Sequence, residues 1–178
     1  TDKTGTLTEA NMRLVGIYTA NDLIRGSTDA KPYSEKDKPL LVMALENIDV
    51  LIENPDDDGA SWTFVGKPFE TNIAKTARDN GIDVSRFKSG GATAMAIPFN
   101  STHKFSVSVS EGTHTVMGAP DILLARAKMD AVTYQQIESW IAKASAEGKR
   151  LIALGTTQSP ITAVTHVRDI EFSGVLAF

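Results

Sequence analysis

The sequence predicts an α+β domain, a largely antiparallel β-sheet with helices packed on it. Three observations carry that prediction. Residues 92–98, 104–110 and 113–118 have the composition and spacing of three short strands separated by turns. Two helical patterns follow at about 120–129 and 133–147. Strand-like apolar runs then return at 150–157 and 170–178.

From the beginning of the chain, Asn11 to Ala20 read as a strand leading away from the opening residues, and 21–33, with Gly26, Ser27 and Pro32, as a loop. Ser34-Glu35-Lys36-Asp37 reads as a helix start, with Ser34 as N-cap and an acid three residues on. Leu40, Leu41, Met43, Ala44, Leu45 and Ile48 continue it at helical spacing. Pro55-Asp56-Asp57-Asp58-Gly59 is an acidic solvated turn without the spacing of an EF-hand loop. Pro68 opens the next helix, in which Phe69, Ile73, Ala74 and Ala77 share a face and Gly81 marks the stop. The three strands are joined by turns at 100–103 and at Glu111-Gly112, and Gly148 closes the last helix.

At 178 residues the chain has the length of one domain and can enclose a core without staples. Apolar residues at 42% and charged residues at 22% are ordinary globular usage. A net charge of −4 with no basic run argues against non-specific nucleic-acid binding. Cysteine is absent, which excludes disulfides and thiolate metal sites. No apolar stretch approaches the roughly 20 residues of a membrane helix, so this piece is expected to be soluble. His103, His114 and His166 are scattered and read as non-ligands. The absence of an initiator methionine before Thr1-Asp2 is what a fragment would show.

Asp2-Lys3-Thr4-Gly5-Thr6-Leu7-Thr8 is the strongest chemical signal. A carboxylate can attack the γ-phosphate of ATP and hold it as an aspartyl phosphate, dividing one hard transfer into two easier ones. Lys3 supplies positive charge beside the transferring group, and Thr4, Gly5 and Thr6 offer donors to phosphate oxygens. Phosphatases built on such an aspartate commonly carry a second acid two residues on. Thr4 stands there and cannot do that acid–base work near neutral pH, so a covalent phosphate would persist.

This heptapeptide resembles the phosphorylation signature of the P-type ATPases. Later segments resemble the nucleotide-binding domain of the same family in order and spacing: Gly66-Lys67-Pro68-Phe69-Glu70, then Phe99 to Lys104, then Met117-Gly118-Ala119-Pro120-Asp121, then Lys149-Arg150-Leu151-Ile152. The resemblance implies an ATP site. Phe99 would stack on adenine and Glu70 accept from its amino group. Lys104 and Arg150 would reach ribose or phosphates, Arg150 with a bidentate fork. Gly118, beside Ala119, would clear space for the ring. Met117 departs from the family pattern, which has lysine there. It can pack on a purine through its sulfur but brings no charge.

The resemblance also implies Mg2+, with Asp2 and Thr4 as its ligands and Asp2, Lys3 and Thr4 as the catalytic group. It divides the chain into a phosphorylation motif and hinge (1–10), a nucleotide-binding domain (11–168) and a return strand (169–178). Transmembrane helices, an actuator segment and the later magnesium-binding acids are expected in the rest of the same pump, in a membrane expected to be bacterial. The fragment itself is expected to bind ATP without transport or appreciable turnover. The missing His-Pro element of heavy-metal pumps leans towards hard cations, with calcium ahead of magnesium, sodium or protons. Two alternatives stand beside this reading: a soluble phosphatase or phosphotransferase of the aspartate-nucleophile type, disfavoured by Thr4, and a regulatory nucleotide-binding module in which Asp2 is inert.

Overall fold

Side chains on a strand point alternately to opposite faces, and here both faces of the main sheet are apolar, so helices cover both. The computed structural model describes residues 12–87, 93–158, 161 and 163–178. Asp2, Lys3 and Thr4 lie outside the described residues. In chain order the elements are β1 (Gly16–Thr19), α1 (Ala20–Arg25), α2 (Lys38–Leu45), β2 (Leu51–Ile52), β3 (Phe64–Val65) and α3 (Pro68–Asp79). There follow β4 (Thr93–Ile97), β5 (Phe105–Ser110), β6 (Thr113–Gly118), α4 (Pro120–Ala125), α5 (Ala131–Ala146), β7 (Leu151–Thr157) and β8 (Glu171–Ala177). Six strands form one sheet in the order β1-β8-β7-β6-β5-β4, and β2 with β3 forms a separate ribbon. Every strand pair is antiparallel. The expected α+β architecture is therefore the observed one.

Alternation divides the core in two. Tyr18, Phe105, Val107, Val116, Ala153, Val175 and Ala177 project to one face, where they meet Leu23 of α1, Leu123 and Leu124 of α4, and Ile137 and Trp140 of α5. Ile17, Met117, Leu154 and Leu176, each next in sequence to one of those, project to the other face and meet Leu40, Leu41 and Ala44 of α2 and Ile73, Ala74 and Ala77 of α3. Trp140 anchors the first layer. Its ring lies 4.8 Å from that of Tyr18, and its indole N–H donates to the Ser27 carbonyl at 2.8 Å.

The chain differs from expectation between β1 and α2. The strand expected over 11–20 ends at Thr19, and the segment expected to be loop begins with α1. Thr19 Oγ1 accepts from the Asp22 N–H at 3.3 Å and Asp22 Oδ2 from the Thr19 N–H at 2.9 Å, a reciprocal cap. Gly26, with φ of 90°, ends the helix in the left-handed conformation that glycine adopts without penalty. The start expected at Ser34 holds: a 3-10 turn over Glu35–Asp37 leads into α2, and Asp37 Oδ2 accepts from the Ser34 N–H at 2.9 Å. Residues 169–178, expected as the last strand and the return towards a phosphorylation domain, include β8, which pairs with both β1 and β7.

Candidate functional site

Antiparallel register gathers the key segments at one end of the sheet. Phe105, at the start of β5, pairs with Gly118 at the end of β6, and Gly118 pairs with Ala153 near the start of β7. Lys104 before β5 and Ala119 after β6 are therefore neighbours, and β7 begins at the same end of the sheet, which brings Arg150 to the same cavity. The Ala119 N–H donates to the Lys104 carbonyl at 3.0 Å and fastens the first two together. On the face shared with α2 and α3, that end opens into a cavity of about 600 Å3.

All seven residues assigned to the nucleotide by sequence line this cavity: Glu70, Phe99, Lys104, Met117, Gly118, Ala119 and Arg150. Buried members form its floor and exposed ones its rim. Met117 is 6% exposed, whereas Phe99, in the turn between β4 and β5, is 56% exposed and holds its ring largely in water. That turn is ordered by Asn100, whose Oδ1 accepts from the N–H groups of Thr102 and His103, each at 2.9 Å. Lys104 closes it with φ of 61°, a left-handed conformation that costs a non-glycine residue on the order of 1 kcal/mol or more.

Gly118 answers to the chain's own packing. A Cβ there would collide with the Lys104 carbonyl oxygen and stand 2.6 Å from the Phe105 Cβ. The need for glycine thus arises inside the β5–β6 pair, as well as from any ligand beside it.

Glu70 lies in the first turn of α3, 7% exposed, and its Oε2 accepts from the Lys67 N–H at 3.3 Å. Burial pushes its carboxyl above the usual range. The Lys67 charge and backbone donors from Lys67 and Asp49 work against that shift, and the Asp49 charge adds to it.

Among the lining residues that sequence reasoning left unassigned are Asn47, Ser106 and Lys67. Ser106 and Ser108 occupy alternate positions of β5 on the cavity face, and both are buried. The Ser106 hydroxyl donates to Asn47 Oδ1 at 3.0 Å, and Asn47 Nδ2 donates to Ser108 Oγ and the Met43 carbonyl, each at 3.1 Å. Asn47 and Ser106 thereby give the floor a polar patch. The alternation of serine along β5 was a legible signal. Asn47 offered none, since nothing local links it to residues some 60 positions away. The third is Lys67, exposed at the rim. A second space of about 600 Å3 adjoins the first and shares Asn47, Lys67, Glu70, Phe99 and Ser106 with it.

Three cations, Lys67, Lys104 and Arg150, line the cavity with one carboxylate, Glu70. None of the three enters the ion pairs found among the described residues. Among the described residues the Arg150 guanidinium donates to the Met12 sulfur, at 3.7 Å. The same residues include no group of three or more His, Asp or Glu able to hold a metal ion. No helix among them is long and apolar enough to cross a membrane.

The described residues thus form an antiparallel α+β domain whose sheet end carries an aromatic rim, a partly polar floor and three cations outside the ion pairs. Residues 37–171 match the family described as P-type ATPase, cytoplasmic domain N, and the chain belongs to that family. Comparison with curated proteins finds no match. Among solved structures, the chain is similar to the N-domain of a copper-transporting P-type ATPase, at 13% identity and a TM-score of 0.49, covering 94% of this chain and 99% of that one.

Proposed function

We propose that this domain binds ATP in the cavity at the end of the sheet and, within an intact cation pump, presents the γ-phosphate to Asp2. Phe99 stacks on one face of the adenine, and Met117 packs against it from the floor. Glu70, ionised, accepts a hydrogen bond from the adenine amino group. Lys104 and Arg150 hold the ribose and phosphate chain at the rim, the arginine by paired donors. The Asp2 carboxylate oxygen then attacks the γ-phosphorus, the bond to the β-phosphate oxygen breaks, and ADP leaves. Lys3 and Thr4 offset charge on the transferred group. On the family resemblance alone, Asp2 and Thr4 would hold magnesium, which would supply positive charge beside the phosphate oxygens.

The division at residues 10 and 168, a cytoplasmic position in a membrane pump and a preference for calcium over other hard cations belong to this reading. Its chief support is the convergence on one cavity of seven residues drawn from four separate segments. Calorimetric titration of the chain with ATP tests it. Saturable binding is expected, with amide shifts centred on Phe99, Gly118 and Arg150. Absence of binding at millimolar nucleotide would remove the reading.

A further inference from the structure

We propose that Lys67 is a third cationic contact for the phosphate chain of the nucleotide, supplying charge that Met117 does not bring. The proposal deepens the ATP reading above and rests on it. Lys67 lines the cavity together with Lys104 and Arg150, is exposed, and enters no ion pair among the described residues. Its N–H donates to Glu70 Oε2 at 3.3 Å, and its ammonium group, which also bears electrostatically on the Glu70 carboxyl, makes no ion pair within reach of a direct contact.

A second observation is independent of the cavity. Lys67 is the N-cap of α3, a 12-residue helix with Pro68 at its first position. That is the place where Ser, Thr, Asp or Asn serve best, and where a cation opposes the positive end of the helix dipole. No side-chain cap bond is made there. The helix dipole disfavours a cation there while the Glu70 carboxylate favours it, and the exposed ammonium group beside Lys104 and Arg150 is placed to meet a ligand as well. In a chain of net charge −4, three lining cations against one carboxylate make the cavity a positive spot suited to a polyanion.

The test compares Lys67→Ser and Lys67→Arg with the unaltered chain, by calorimetry with AMP, ADP and ATP and by thermal melting. Serine restores a good cap, so Lys67→Ser is expected to melt no lower than the unaltered chain while binding ATP about tenfold more weakly. The loss should shrink from ATP to AMP, because the contact is with phosphate charge. Lys67→Arg keeps the charge and should stay within about threefold. Unchanged ATP affinity in Lys67→Ser overturns the proposal, as does an equal loss for AMP and ATP, or a loss in Lys67→Arg as large as in Lys67→Ser. If the unaltered chain binds ATP but the serine variant binds it equally, only the role of Lys67 falls. If the unaltered chain binds no nucleotide, the functional reading falls with it.

Discussion

Phe99 and Glu70 show how differently two residues of one site weigh on stability and on binding. Phe99 holds 56% of its surface in water, so trimming it removes little packing. Phe99→Ala is expected to leave the melting temperature nearly unchanged, as surface substitutions do, within about 0.5 kcal/mol. ATP affinity should fall by a stacking-sized ~1–3 kcal/mol, about 5- to 150-fold by calorimetry. Unchanged affinity would place the base elsewhere. Glu70 behaves oppositely. Its carboxyl titrates above the ordinary value of 4.5 in the folded chain because of burial. Its contribution to stability is therefore greatest below the unfolded value and is lost as pH rises through the folded one. Near neutrality the buried charge costs stability, and in the proposed complex the same charge accepts the hydrogen bond from the adenine amino group. Glu70→Gln keeps a side chain able to cap α3 and is expected to melt no lower than wild type at pH 7. Its ATP affinity should drop about tenfold, the scale of a hydrogen bond to a charged group. In the unaltered chain, binding should weaken as pH falls through the raised value. An affinity flat across that range would deny Glu70 the role.

At the scale of elements, what sequence revealed was whatever local chemistry dictates. Ser34 with Asp37, Pro68 at the head of α3, and the alternation in β5 each carry their signal within a few residues. The β2–β3 ribbon was missed because Leu51 pairs with Val65 across an intervening loop, and two residues per strand give no period to detect. The helix α1 was missed although its signals were present. Thr19 and Asp22 form the capping pair and Gly26 the stop, but six residues are too few for helical periodicity to compete with the strand before them. Ion pairs reinforce that short helix: Asp22 meets Lys31 at 3.1 Å and Lys36 at 3.4 Å. Burial alone would raise its carboxyl, but the Thr19 N–H, the Lys31 side chain and the Thr19 hydroxyl outweigh it and bring it down to about 2. A depressed carboxylate stabilises the fold above its unfolded pKa of 3.8, and that contribution disappears as pH falls from there to about 2. Asp22→Asn should therefore lower the melting temperature at pH 7, and the gap to the unaltered chain should close near pH 2. An equal gap at both pH values would mean that shape, not charge, is what Asp22 provides.

Across the whole molecule, the sheet separates two apolar layers, and the one with α2 and α3 forms most of the cavity's apolar border among the described residues. Convergence of the site depends on strand register, which no local pattern encodes. The order of the motifs was readable in the chain, whereas the shared end of β5, β6 and β7 required the pairing itself. This arrangement predicts where a ligand is felt. A nucleotide that binds only the folded chain stabilises it by about 2.7 kcal/mol at a hundredfold excess over Kd. For a chain of this length that corresponds to a rise in melting temperature of roughly 5–10 °C. Slowing of amide exchange should concentrate at the start of α3, the β4–β5 turn, the end of β6 and the start of β7, because those backbones carry the lining side chains. The amides of α5, across the sheet and joined to it through Trp140 and Ile137, should slow only by the global increment. If added ATP instead slowed exchange chiefly in α1 and α5, the ligand would be seated on the opposite layer, and the cavity beside α3 would not be its site.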